Sequence, residues 1–357
     1  MMCRPFLLLS ILCYRFAEAT GWSWSKVSIS DTVSNRAPSV SGQATASSNH
    51  KTSASDVLLF GGLTGAAGSP TTNDLWEFDS TKDEWTKFLP DNDGFRSVVR
   101  PRVRMYAASA MVGNKFYIFG GWDPMEPGSG GEFLDDIWSF DRTTKAWSEE
   151  KAKLPFPVSR HAGATVMGDN SDDMVIIHTY KGILTFRDGL LTEQATDGNA
   201  PESLSMCAMT GISNKVVLFG GSDKNQCMSS EVYVLDTTNW TWTKLDNQRG
   251  TTEEGPAAMA SASMAPLNQE KCIVFGGASL APAGYEGGYG LLPKDDTWIC
   301  TVSERNVEWE RIECAKRLEG RVAASLNNLG DGRFLLQGGY DPVSKATFEE
   351  PWILYTD

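Results

Sequence analysis

The chain is predicted to be an all-β repeat protein, and three observations predict it. An apolar run closed by Gly-Gly recurs along the sequence, an alternating run with a Trp or Tyr follows each early copy, and a second Trp comes about nine residues later. Val57-Leu58-Leu59-Phe60-Gly61-Gly62 leads to Leu75-Trp76-Glu77-Phe78-Asp79 and Trp85; Phe116 to Gly121 leads to Ile137-Trp138-Ser139-Phe140-Asp141 and Trp147. Val216 to Gly221 leads to Val232-Tyr233-Val234-Leu235-Asp236 and Trp242, Cys272 to Gly277 precedes Trp298 and Trp309, and Phe334 to Gly339 precedes Trp352. Short alternating runs separated by turn residues are strands, not helices. A Gly pair at the end of such a run marks close backbone approach or a positive φ that a Cβ would oppose. One pair alone would be an ordinary turn, but five with the same downstream aromatics are a repeat.

The pairs end at residues 62, 121, 221, 277 and 339, so one spacing, of 100 residues, is nearly double the others. A degenerate copy is expected inside it. Met174-Val175-Ile176-Ile177-His178-Thr179-Tyr180-Lys181-Gly182 supplies an apolar run with a single Gly, and Ile183-Leu184-Thr185-Phe186-Arg187-Asp188 follows almost at once. That unit lacks the long loop and the Trp pair, and it brings the number of units to six.

These motifs resemble the kelch family over essentially the whole chain beyond its first twenty or so residues, with five matching units and a third that departs. The resemblance implies a six-bladed kelch β-propeller with four-stranded antiparallel blades. The residues make sense of it, since one blade cannot bury both of its faces and must share aromatics with its neighbours. The sixth unit stops early: Pro351-Trp352-Ile353-Leu354-Tyr355 is not followed by a second Trp. Trp24-Ser25-Lys26-Val27 copies Trp85-Thr86-Lys87-Phe88 and Trp242-Thr243-Lys244-Leu245. The N-terminal segment is therefore expected to be the outer strand of the last blade, which closes the ring and removes two exposed sheet edges.

Upstream lie Met1-Met2-Cys3-Arg4, an apolar run from Pro5 to Tyr14, and Ala17-Glu18-Ala19. This is the three-part pattern of a secretory signal. The expected organisation is a signal peptide over 1–19 and a propeller over 20–357, in the secretory pathway or outside the cell, with a cytoplasmic propeller as the alternative. No other apolar stretch reaches membrane-spanning length. The formal net charge of −13 becomes −14 on loss of the leader, because Arg4 and Arg15 leave with Glu18. An acidic chain repels phosphate backbones and anionic lipid, so nucleic acid is not an expected partner. Five cysteines lie beyond the leader, at 207, 227, 272, 300 and 314, with no metal-ligand spacing. Cys272 and Cys300 fall on neighbouring strands and are either a pair or buried thiols. Asn239-Trp240-Thr241 fits the glycosylation sequon.

Function is expected on the face carrying the loops between second and third strands, about Leu63 to Asp74, Trp122 to Asp136, Ser222 to Ser230, Ala278 to Asp296 and Tyr340 to Glu350. Arg104, Arg160 and Arg321 read as occupying similar places just before the innermost strands. Kelch units commonly carry an Arg there, which implies contacts to a partner's carboxylate or phosphate, or ion pairs with Asp residues of the protein itself. With Trp122, Tyr285, Tyr289 and Tyr340 they form the expected binding set. The expectation is a monomeric scaffold recognising a protein or glycan, without cofactor or metal. The alternative is an enzyme acting on a sugar or small metabolite in the axial pocket, as in a mutarotase-like member. A copper site of the galactose oxidase type needs two His and two Tyr, and His50, His161 and His178 are too few and too scattered to supply it.

Overall fold

Alternating side chains force each unit to bury two faces, and it does so by stacking. The structure, a computed structural model, describes residues 21–27, 38–47, 56–65, 69–88, 99–125, 130–167, 173–247, 255–285 and 290–356. The expected leader, His50 and Tyr289 lie outside the described residues. From the axis outward, blade 1 is Ala44–Ser47, Val57–Phe60, Leu75–Asp79 and Glu84–Phe88; blade 2 is Ala108–Val112, Lys115–Asp123, Glu132–Asp141 and Ala146–Glu149. Blade 3 is Ala162–Met167, Asp173–Thr179, Gly182–Arg187 and Leu190–Gln194, so the degenerate unit is a complete blade. Blade 4 is Ala208–Ile212, Lys215–Phe219, Val232–Asp236 and Thr241–Lys244, and blade 5 is Ser263–Pro266, Lys271–Phe275, Thr297–Val302 and Asn306–Arg311. Blade 6 is Ser325–Gly330, Arg333–Gln337, Trp352–Thr356 and Trp22–Lys26.

The first residues of the fold thus complete its last sheet. Trp24 stands opposite Leu354 and Lys26 opposite Trp352 in antiparallel register, and Lys26 forms an ion pair with Glu350. Trp24 is 7% exposed and meets Phe275 of blade 5 edge-on at 5.5 Å. Buried residues form six clusters among those described, and each joins two consecutive blades. Blades 4 and 5 also carry a short fifth strand, Asp197–Gly198 and Asp246–Asn247, parallel to their outer strands. The sequence reading did not contain these two strands. Cys272 and Cys300 are directly opposed in register, with free thiols.

The Gly pairs are explained by blade-to-blade contact. Gly61 and Gly62 have φ of 70° and 102°, and a Cβ on Gly61 would lie 2.5 Å from the Arg104 carbonyl oxygen. That carbonyl, from the lead-in of the next blade, accepts a 2.9 Å bond from the Gly62 N–H. The same bond runs from Gly121 to Val158, Gly221 to Met259, Gly277 to Arg321 and Gly339 to Val40. Gly-Gly is therefore the joint between blades, which is why it repeats.

Blade 6 departs from the pattern at the position of Phe60, Phe119, Phe219 and Phe275. Gln337 stands there, fully buried. Its Oε1 accepts from Trp85 Nε1 at 3.1 Å, and its Nε2 donates to the Pro38 carbonyl at 2.7 Å. The seam where the chain's two ends meet is thus held by a satisfied polar clasp as well as by packing.

Candidate functional site on the loop face

Each inner strand is preceded by a residue with positive φ, and together they encircle the axis. These are Gly42, Tyr106, Arg160, Met206, Ser261 and Ala323, with φ of 64°, 54°, 60°, 56°, 57° and 51°. The N–H of each donates to the carbonyl of the one before, and Gly42 closes the circuit on Ala323, with bonds of 2.7 to 3.0 Å. Left-handed backbone at non-glycine residues is costly, and here each instance is held by two ring bonds. The ring and the residues after it line a cavity of about 140 Å³ at the mouth, and the inner strands line one of about 270 Å³ along the axis.

This ring corrects the alignment of the arginines. Arg160 belongs to it, whereas Arg104 and Arg321 stand two residues earlier, where their carbonyls meet Gly62 and Gly277. The side chains follow different fates. Arg104 is 1% exposed and clasps Asp136 with two bonds of 2.6 and 2.8 Å, while also donating to the Gly120 carbonyl at 2.9 Å. Burial pushes the Asp136 carboxyl up, but the bonds from Arg104 outweigh it and hold the group below the usual carboxylate range. Arg321 is 3% exposed, donates to the Gly338 carbonyl and packs its guanidinium 3.8 Å from the Phe348 ring centroid. Burial lowers its pKa to about 10, so it stays cationic at neutral pH. Neither side chain faces a partner: Arg104 takes the internal ion pair, with an Asp of its own blade, and Arg321 is enclosed by carbonyls and a ring.

Arg160 is the arginine that reaches the axial mouth. Its guanidinium carbon lies 5.2 Å from the Tyr106 ring centroid and 5.5 Å from that of Trp122, and it forms no ion pair among the described residues. Its Nε is buried without a hydrogen-bond partner. Trp122 and Tyr340 hold matching positions just after their Gly pairs, bridged to Met105 and Val322. Tyr285 is exposed on the blade 5 loop. The structure brings Arg160, Tyr106 and Trp122 together, and leaves Tyr285 and Tyr340 on separate blades of the same face. Tyr106 was missed by sequence reading. Aligning the small residue that opens each inner strand (Ala44, Ala108, Ala162, Ala208, Ser263, Ser325) would have placed Tyr106 beside Arg160 in the ring.

The axial cavities carry little ionisable chemistry. Among the described residues lining them, His161 and Cys207 are the titratable groups besides Arg160 and Tyr106. Burial lowers the His161 pKa to about 4 and raises that of Cys207 to about 12, so both are neutral near pH 7. Among the described residues no carboxylate lines either cavity. Among the described residues, no group of three or more His, Cys, Asp and Glu is placed to hold a metal ion.

Comparison with known proteins agrees with this architecture. The KLHDC2/KLHL20/DRC7 Kelch-repeats domain matches residues 13–188 and again 182–357. The chain belongs to this kelch-repeat family. Its relatives include acyl-CoA-binding domain-containing protein 6 of Oryza sativa subsp. japonica, 26% identical over 57% of this chain and 31% of that protein. Host cell factor of Drosophila melanogaster is 24% identical over 70% of this chain and 18% of its own length. The chain thus spans less than two-fifths of either relative. The solved structure of YjhT superposes with a TM-score of 0.61 at 17% identity, covering 89% of this chain and 96% of that one, which shows the shared propeller fold.

Proposed function

We propose that this kelch propeller is a recognition scaffold that holds a segment of another protein on its loop face, around the axial mouth. The observation that carries the reading is Arg160, a cation at the axial mouth resting on two aromatic faces with no carboxylate paired to it among the described residues. Arginine and aromatic side chains at a rigid surface are the groups that dominate protein recognition. Exposed Phe133, Met125, Leu280, Tyr285 and Val343 extend the apolar area on surrounding loops. A site that transforms a small metabolite would call for a convergent acid and base, and among the described residues the axial cavity presents neutral His161 and Cys207 beside Arg160 and Tyr106.

The test is quantitative affinity capture with the native propeller, with Arg160→Met and Tyr285→Ala on the loop face, and with Leu190→Ser at the start of the blade 3 outer strand, on the opposite face. Partners retained by native protein and Leu190→Ser but depleted by the loop-face variants support the scaffold. Depletion by Leu190→Ser with the loop-face variants unchanged refutes it.

A further inference from the structure

The loop face is not symmetric, because blade 3 lacks the long connection that the other blades carry between their second and third strands. There the chain turns back through Tyr180 and Lys181 alone, between Asp173–Thr179 and Gly182–Arg187. Next to it, the blade 2 hairpin rises high, with strands of 9 and 10 residues, and exposes Phe133 opposite Trp122. A low floor beside a tall wall makes a notch over blade 3.

The floor is built of cations on aromatic faces. Lys181 Nζ lies 4.0 Å from the Phe156 ring centroid and 5.7 Å from that of Tyr180, and these two rings pack at 5.4 Å. Phe156 and Arg160 belong to one lead-in segment, which enters blade 3 at Ala162, opposite His178. Neither Lys181 nor Arg160 forms an ion pair among the described residues. Arg102, Arg104, Arg142, Arg311, Arg317 and Arg333 pair with carboxylates, while Arg321 and Lys316 lie over rings, as Arg160 and Lys181 do. Arg160 lies two residues before Ala162, whose register partner is His178, and Lys181 lies three residues after His178, so both cations stand at the same end of blade 3 and are a local source of positive charge in a chain of net charge −13.

We propose that the notch over blade 3 receives an extended acidic segment of a protein partner, its carboxylates meeting Arg160 and Lys181 and its apolar side chains meeting Phe133, Phe156 and Tyr180. The proposal rests on the loop-face reading and narrows it to one blade and one partner chemistry. Degeneration of the third repeat is then what opens the site. The long-range field of the protein repels acidic chains elsewhere, so attachment is confined to the notch and weakens as salt shortens the screening length.

The probe is a synthetic peptide alternating Glu and Leu, acetylated and amidated so that no terminal charge contributes, with a Gln-for-Glu counterpart as control. Fluorescence anisotropy should show the Glu peptide binding several-fold more tightly than the Gln peptide at low salt, with the difference shrinking at high salt. Lys181→Glu, at an exposed position, should weaken it by about threefold or more, and Arg160→Met by a similar factor, with folding checked by circular dichroism. Lys181→Gln should give an intermediate loss. Equal binding of the two peptides, no binding of the Glu peptide, or indifference to Lys181→Glu overturns the proposal. Weakening by Tyr285→Ala without any effect of Lys181→Glu removes the notch and leaves the loop-face scaffold standing, whereas weakening by Leu190→Ser alone removes both.

Discussion

Substituting Trp24 tests the closure of the ring directly. In Trp22–Lys26 the alternation sends Trp24 inward, against Phe275, Ile299, Ile312 and Leu318 of the blade 5 to blade 6 cluster, and sends Ser25 to solvent. Removing a fully packed Trp side chain costs about 3–5 kcal/mol. With the unfolding entropy expected for a chain of this length, that is a fall in Tm of about 4–7 °C. Ser25→Glu, on the outward face of the same strand, should stay within about 0.5 kcal/mol of native. Urea unfolding followed by fluorescence and circular dichroism gives both numbers. Deleting through Lys26 should cost more than Trp24→Ala, because it also strips the partner from Trp352–Thr356 and leaves an open sheet edge. If Trp24→Ala costs under about 1 kcal/mol, or Ser25→Glu costs as much, the strand is not seated in this register, since a slip of one residue exchanges its two faces.

The polar clasp at the seam predicts coupling between Gln337 and Trp85. Gln337→Ala leaves the Trp85 N–H and the Pro38 carbonyl buried without partners and should cost about 2–4 kcal/mol, while the double-mutant cycle with Trp85→Phe should return about 1 kcal/mol of interaction. Additivity within about 0.3 kcal/mol would show that the hydrogen bond contributes nothing. A pH dependence follows from His178, which is 4% exposed and whose pKa burial lowers to about 4. The unfolded chain binds that proton near pH 6.5, so stability is complete above that pH and falls between about 6.5 and 4, at up to about 1.4 kcal/mol per pH unit. His161, whose pKa burial also lowers to about 4, contributes an equal share to the same limb, so His178→Phe should remove about half of it; an unchanged slope would mean that the His178 imidazole is protonated as readily in the folded state as in the unfolded chain.

The elements legible in the sequence are those that every blade must share. Phe-Gly-Gly is visible because the joint between blades tolerates no Cβ at Gly61 and its counterparts, and the Trp strands are visible because each interface needs a large ring. The closing strand could be read from Trp24-Ser25-Lys26 for the same reason. The axial ring left no such mark. Its bonds are backbone to backbone, and five of its six positive-φ positions are held by Tyr106, Arg160, Met206, Ser261 and Ala323, residues with no preference for that conformation. Without the ring as a ruler, Arg104, Arg160 and Arg321 looked alike, although two of them are sealed into the joints and one is free. Physical necessity explains that division: a position that closes a joint in several blades is constrained by packing in each of them, whereas the Arg160 side chain on the ring meets only the Tyr106 and Trp122 rings of the neighbouring blade, a contact that no other blade repeats among the described residues. The same reasoning applies to blade 3, where the connection shortened to two residues leaves Tyr180 and Lys181 exposed. Repetition encodes the scaffold here, and recognition is to be sought where the repetition fails.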